Sequence, residues 1–325
     1  MSTWLVTGGA GYIGAHVVRA LLADGRAVVV LDDLSSGHAA FVPDGVPFVR
    51  AGVGDTATVE ATLREHEVDG VVHLAAFKYA GESVRRPLHT YEQNVVGTAS
   101  LLGAMAEAGT GALVFSSSAA VYGTPDVDLV TEDTPTAPES PYGETKLVGE
   151  WLVRDQARVT GLRHTSLRYF NVVGSGDPAL RDTSPHNLLP LVLDAVAAGR
   201  EPVLLGDDYP TPDGTCVRDY VHVADVAAAH VAAARALEAG RPLERVYNLG
   251  AGEGTSVRQV LDAVGDVVGR PLAPHVAPRR PGDPPRIVAS GELARRDLGW
   301  HPATTLEAMV ASAWTARQAA GAQPA

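Results

Sequence analysis

Through Tyr169 the chain alternates short runs of branched apolar residues with longer runs whose apolar positions recur at helical spacing. The short runs predict strands at Trp4–Thr7, Ala27–Leu31, Pro47–Arg50, Gly70–Leu74, Ala112–Ser116 and Arg163–Tyr169. They are apolar without alternation, as expected where helices cover both faces of a parallel sheet. The longer runs predict helices at Tyr12–Ala23, Thr56–Glu65, Ser83–Ala108 and Tyr142–Val159. Strand–helix alternation builds βαβ units, so the expected class is α/β with a doubly wound parallel sheet.

Beyond Asn171 the pattern breaks. Gly174–Pro185, rich in Gly, Pro, Asp and Ser, reads as a loop. Helices are expected near Asn187–Ala198, Ala224–Leu237 and Thr305–Ala319, with short strands at Pro202–Leu205, Val217–His222 and Arg245–Leu249. A Pro/Arg loop spans Pro278–Pro285, and the tail from Gly321 to Ala325 reads as frayed. The change of texture divides the chain into residues 1–173 and a smaller α/β lobe, 174–325, with interleaved boundaries.

Composition narrows the function. The 325 residues are 46% hydrophobic, enough for one large core or two lobes. The net charge is −12, and the basic doublets are Arg85-Arg86, Arg279-Arg280 and Arg295-Arg296. Such a surface repels phosphate backbones and argues against nucleic acid as a partner. Cys216 stands alone, so no intrachain disulfide can form, and a reducing, cytoplasmic setting is expected. The N-terminal residues run directly into a glycine loop without the pattern of a signal peptide. No apolar run is long enough for a membrane span, and no metal site is expected.

Only two of the 26 basic residues are lysine, Lys78 and Lys146. An ammonium is a compact point charge that can sit against a phenol or a ribose, where the wide guanidinium fork cannot. The tilt toward arginine raises the question of what those two positions require.

Thr7-Gly8-Gly9-Ala10-Gly11-Tyr12-Ile13-Gly14 follows the first strand and opens the first helix. Gly8, Gly11 and Gly14 form a Gly-x-x-Gly-x-x-Gly variant of the dinucleotide fingerprint, in which missing Cβ atoms let backbone N–H groups approach a pyrophosphate. Asp32 ends the second strand, placed to accept from ribose hydroxyls and to repel a 2′-phosphate, which selects NAD over NADP. The sheet is therefore expected to be of the Rossmann type. Ser116-Ser117-Ser118 ends the fifth strand, at the sheet edge where ligands gather in such folds. Tyr142 and Lys146 are four apart and share one helix face. A phenol titrating near 10 is a poor base at neutral pH, but an adjacent ammonium and a cationic nicotinamide would both favour phenolate.

The glycine fingerprint, Ser118 and Tyr142-x-x-x-Lys146 resemble the extended short-chain dehydrogenase/reductase family. His73–Ser83, Leu167–Asn171, Gly206–His222, Tyr247–Gly250 and Arg279–Asp283 narrow the likeness to its nucleotide-sugar epimerases, over nearly the whole chain. The resemblance implies an isomerase: reversible, NAD-dependent inversion at C4 of UDP-glucose and UDP-galactose through a 4-keto sugar. Tyr142 would be the base, Lys146 would hold the nicotinamide ribose, and Ser118 would bond the sugar oxygen. Cofactor contacts would come from Gly8, Gly11, Tyr12, Ile13, Gly14, Asp32, Asp33, Leu34, Ser35, Ser36 and Gly37. Gly52, Val53, Leu74, Ala75, Ala76, Phe77, Lys78, Gln93, Ser116 and Phe170 would complete them. The UDP-sugar would meet Lys78, Asn171, Asn187, Leu188, Val203, Leu204, Leu205, Arg218, Arg280, Asp283 and Ile287, with Arg218 and Arg280 as diphosphate clamps. A homodimer through the helices near Ser83–Ala108 and Tyr142–Val159 is also implied.

Four positions depart from the family pattern. Gly52 replaces an acid near the adenine, a role that could move to Asp55. Gln93 replaces a shorter amide, Ala120 replaces a hydroxyl, and Ile287 leaves room for an N-acetyl group. The alternatives are epimerisation of UDP-GlcNAc, UDP-glucuronate or a UDP-pentose, a dTDP-glucose 4,6-dehydratase, and a non-catalytic NAD sensor. Ala119-Ala120 after Ser118 lacks the acid pair a dehydratase needs, and an intact Ser, Tyr and Lys set argues against a mere sensor.

Overall fold

The computed structural model describes residues 1–280 and 283–322. Its first half contains β1 (Thr3–Thr7), α1 (Tyr12–Ala23), β2 (Ala27–Leu31), β3 (Phe48–Val49), α2 (Thr56–Glu65), β4 (Gly70–His73), α3 (Ala80–Arg85), α4 (Pro87–Tyr91), α5 (Gly97–Ala108), β5 (Ala112–Ser116), α6 (Pro141–Thr160) and β6 (Arg163–Tyr169). There follow β7 (Asn171–Val173), α7 (Leu188–Ala197), β8 (Val203–Leu205), β9 (Val217–Arg218), β10 (Tyr220–His222), α8 (Val223–Glu238) and β11 (Val246–Leu249). The chain ends with β12 (Thr255–Ser256), α9 (Val257–Val268), β13 (His275–Ala277), β14 (Arg286–Ile287), α10 (Glu292–Leu298) and α11 (Leu306–Ala322).

Seven parallel strands form the main sheet in the order β11-β6-β5-β4-β1-β2-β3. The order reverses between β1 and β4, which opens a crevice at their carboxyl ends. One face is covered by α1 and α8, in a core containing Trp4, Val17, Leu21, Val226 and Leu237. The other is covered by α2, α5 and α6, around Leu5, Leu63, Leu101, Met105, Phe115 and Val153. The strands are buried on both sides, which is why they carry no polar alternation. Residues after 173 return to this first layer, since α8 packs on α1 and β11 pairs with β6. A third core around Leu189, Leu193, Tyr220, Leu261 and Val310 belongs to the smaller lobe.

Local chemistry places the element ends. Ser140 caps α6 by accepting from Gly143 N, Pro141 fits the first turn, and Gly161 ends the helix at φ +74°. A reciprocal Ser256–Gln259 capping box starts α9, a helix the sequence reading did not anticipate, as with α10. The single helix expected over Ser83–Ala108 is instead α3, α4, a π-helical turn at Glu92–Val96, and α5. Pro87 lacks the N–H a continuous helix needs, and the wide turn re-aims the residues that follow. The strand expected over Val217–His222 is two short strands that separate at Asp219. That carboxylate is fully buried and accepts from Ala251 N, Gly252 N and Ala289 N, pinning three segments together. Burial raises its pKa to about 6. Pro281 and Gly282, in the expected Pro/Arg loop, and residues 323–325 lie outside the described residues.

Candidate active site

Steric contact dictates the glycine loop. Gly8 takes φ +73°, and a Cβ there would lie 2.7 Å from Ala75 N. A Cβ on Gly14 would lie 2.1 Å from Gly8 O, so the first turn of α1 can approach the loop only without a side chain. Gly11 is the N-cap of α1 and supplies no capping side chain, which leaves the first N–H groups facing outward for an anion. Asp32 is buried, with one oxygen accepting from Ala10 N (3.0 Å) and the other from Leu34 N (2.8 Å). Its carboxylate braces the loop, and each oxygen retains a lone pair for a ribose hydroxyl. Burial raises its pKa, opposed by the two N–H donors. Leu34 sits at φ +62°, a left-handed conformation held by that bond to Asp32. Asp33, Ser35 and Ser36 are exposed beside it, and a Cβ on Gly37 would lie 2.9 Å from Asp32 Oδ1. These features fit a dinucleotide: a glycine cradle, open helix N–H groups and a ribose-facing acid.

Several expected cofactor residues have their side chains engaged elsewhere. The Tyr12 hydroxyl turns away and donates to Gly174 O (2.6 Å), tying α1 to the loop of the second lobe. Val53 is 8% exposed in the core, so only its backbone can face the crevice. Asp55 is exposed and caps α2, its carboxylate accepting from Thr58 N. Gln93 is exposed on the π-helical turn. The inward amide is its neighbour Asn94, which accepts from Phe77 N (2.7 Å) and donates to Phe77 O (3.1 Å) and Thr145 Oγ1 (2.9 Å). Asn94 thus fixes the Leu74-Ala75-Ala76-Phe77 loop after β4, while Lys78 beyond it is exposed. Ser116 is fully buried with its hydroxyl against His230 Nε2 (2.9 Å), so its side chain points away from the crevice.

The reacting groups do converge. Ser118 ends the strand extension and caps a 3₁₀ turn, Ala119–Tyr122. The first turn of α6 packs on that turn, where a Cβ on Gly143 would lie 2.5 Å from Ala120 O. That approach sets the half-buried Tyr142 phenol near the Ser118 side chain, which acts to lower the phenol's pKa. Lys146, one turn on, is 5% exposed, lies 5.9 Å from the Tyr142 ring centre, and donates from Nζ to Ser116 O at 2.7 Å. Burial lowers its pKa to about 8, against the pull of Glu150. Burial also raises the Tyr142 pKa, and the nearby Ser118 side chain only partly offsets it. Without a cofactor, desolvation dominates at the phenol.

Across the crevice, Arg218 donates to Pro284 O (2.7 Å) and Val217 O (3.0 Å). Asp283 lies between two guanidinium groups, 3.6 Å from Arg218 and 3.0 Å from Arg280. Ile287 pairs with Arg218 in register and, like Phe170, packs against a small core of Val121, Tyr122, Val130, Leu147 and Ala289. Asn171 starts β7, Ile13 packs at the edge of the main core, and Leu188 opens α7. The exposed Asn187 donates to Asp182 (2.7 Å). In β8, Val203 and Leu205 are exposed, whereas Leu204 is buried in the third core and can offer a ligand only its backbone. The sequence reading missed Asn94, and also Glu150 and Arg168, a buried ion pair behind Lys146. The one available signal for Glu150 was its place one helical turn past Lys146. Among the described residues no cluster of His, Cys, Asp and Glu could hold a metal ion, and no helix is long and apolar enough to cross a membrane.

Comparison with known proteins matches residues 4–250 to the NAD dependent epimerase/dehydratase family. The UDP-glucose 4-epimerase of Corynebacterium glutamicum is 45% identical over 320 residues, covering 98% of this chain and 96% of that protein. A crystal structure of UDP-glucose 4-epimerase superposes with a TM-score of 0.95 at 40% identity, covering 100% of both chains. The UDP-glucose 4-epimerase of Stenotrophomonas maltophila, with bound NAD and formylated UDP-arabinopyranose, gives 0.93 at 40% identity over 99% of each.

Proposed function

The chain belongs to the NAD dependent epimerase/dehydratase family, and from that premise we propose that it interconverts UDP-glucose and UDP-galactose by inversion at C4. The observation that carries this reading is the juxtaposition of Ser118, Tyr142 and Lys146 at the mouth of the Rossmann crevice. Tyr142 takes the proton of the sugar 4-OH while Ser118 holds the same oxygen. Lys146, fixed under the Ser116 carbonyl, keeps a positive charge beside the phenol. When bound, NAD supplies the hydride acceptor and donor, and its positive charge favours the phenolate that burial opposes. The residues of the glycine loop and Asp32 would hold it.

Inversion requires one end of the substrate to be anchored and the other to turn. Arg218 and Arg280 are suited to the diphosphate, with Asp283 holding both guanidinium groups in place. The 4-keto sugar can then rotate about the diphosphate and present its other face, and Tyr142 returns the proton it took. Ile287, packed against the same small core as Phe170, favours a second reading in which N-acetylated sugars also enter.

A homodimer is part of the proposal. Val84, Leu88 and Val96 on the α3–α5 segment, and Trp151 and Val159 on α6, are all exposed. They supply apolar surface on adjoining helices, suited to a second copy. A cytoplasmic setting is also proposed, supported by the single, buried cysteine. Purified protein without added NAD should convert UDP-galactose to UDP-glucose, and Tyr142→Phe should lower kcat by about 10²–10⁴-fold with the Tm unchanged. Full turnover by Tyr142→Phe would remove the assigned base.

A further inference from the structure

Lys146 and Glu150, one turn apart on α6, are tied to the end of β5 through two successive residues. Ser116 O accepts from Lys146 Nζ (2.7 Å), and Ser117 Oγ donates to Glu150 Oε1 (2.5 Å). Glu150 stands one turn beyond Lys146 on the same face of α6, where side chains four apart are neighbours. Arg168, at the end of β6, clamps it with Nε to Oε1 (2.8 Å) and Nη2 to Oε2 (2.6 Å). Arg168 Nη1 in turn donates to Tyr122 OH (2.8 Å), which donates to Asn248 Oδ1 (2.7 Å). Glu150, Arg168, Tyr122 and Asn248 are all buried.

An ammonium this deeply buried tends to lose its proton, because the charged form is the one desolvation penalises. The groups facing Lys146 from β4 and β5 are His73, the Phe115 ring and the Ser116 carbonyl; from α6 come Tyr142 and Glu150. His73 is held neutral by burial and adds no charge at working pH. Tyr169 and His230 lie behind them, on β6 and α8, and are also neutral there. Glu150 is therefore the anion within this set.

We propose that Glu150 is a positioning residue for the reaction, a fixed buried carboxylate that keeps Lys146 charged and stationed beneath the Ser116 carbonyl. It touches neither substrate nor cofactor. Arg168 and Ser117 hold it in place and prevent it from swinging onto Lys146 to form a contact pair. The inference deepens the epimerase reading, in which a charged Lys146 is needed.

The chain's two lysines allow a direct test. Protein carrying ¹³C-labelled lysine gives two side-chain Cε signals whose pH titration needs no substrate, so failure of the substrate assignment would leave the test intact. In the native protein the Lys146 signal should titrate near 8. In Glu150→Gln it should move down by about one pH unit, a tenfold change in the ionisation constant. Glu150→Asp, which keeps the charge, should stay within about half a unit of native. Glu150→Gln strands the Arg168 guanidinium, so the double variant Glu150→Gln/Arg168→Gln, with no uncompensated charge, is measured beside it. It should shift in the same direction. The alkaline limb of kcat should follow the NMR titration in each folded variant. An unmoved Lys146 titration in Glu150→Gln or in the double variant would overturn the proposal and leave Glu150 a purely structural residue.

Discussion

Lowering the pH should unlatch the seam between α1 and the second lobe through His16. Its Nδ1 faces Tyr12 O at 2.8 Å, and a carbonyl can only accept, so Nδ1 carries the proton. Its Nε2 accepts from Gly176 N at 2.9 Å, which requires that nitrogen to be bare. Protonation would set N–H against N–H. Burial accordingly lowers the His16 pKa from 6.5 to about 4. The folded value lies below the unfolded one, so between those values the unfolded chain binds more protons. The stabilisation is whole above pH 6.5 and is lost as pH falls toward 4. From pH 7 to pH 5 this amounts to about 2 kcal/mol for His16. His230 (lowered to about 4) and His73 (to about 3) act with the same sign. Asp219, raised to about 6, acts with the opposite sign and offsets about 1 kcal/mol. Taken together these four groups predict a net loss of about 4 kcal/mol. Urea unfolding followed by circular dichroism between pH 7 and pH 5 measures it. His16→Gln, which keeps an acceptor and never charges, should lose about 2 kcal/mol less over that range than the native protein. Identical pH slopes for the two proteins would refute the latch.

Asn94→Ala should destabilise by about 2–3 kcal/mol through the stranded Phe77 N–H and weaken NAD retention, whereas Gln93→Ala should do neither; denaturation and the NAD content of purified protein check both. Gly14→Ala should abolish NAD retention, because its Cβ would lie 2.1 Å from Gly8 O. Gly52→Ala meets nothing nearer than Asp33 Oδ2 at 3.9 Å and should stay within about 0.5 kcal/mol of native by the same measurements. Ser140→Ala should cost about 1 kcal/mol and lower kcat more than KM, since the lost cap frees the turn that carries Tyr142; steady-state kinetics and melting curves report the two effects.

Much of the site is periodicity, which sequence carries directly. Unbroken apolar runs produced the buried parallel strands, and the spacing of Gly8, Gly11 and Gly14 matches a contact between atoms that admits no Cβ. Tyr142 and Lys146 share a face because four residues make about one helical turn. Tertiary structure decided where side chains point once that regularity stops. A π-helical turn left Gln93 exposed and turned Asn94 inward, the end of β5 turned Ser116 toward His230, and Leu204 went into a core. Partners far apart in the chain, such as Glu150 with Arg168 or Asp219 with the segments at Ala251 and Ala289, exist only after α6, β6 and the second lobe have packed. Local spacing fixes which residues share a face. Burial then decides which polar groups must find each other, because an unpaired one inside the protein is too costly to leave.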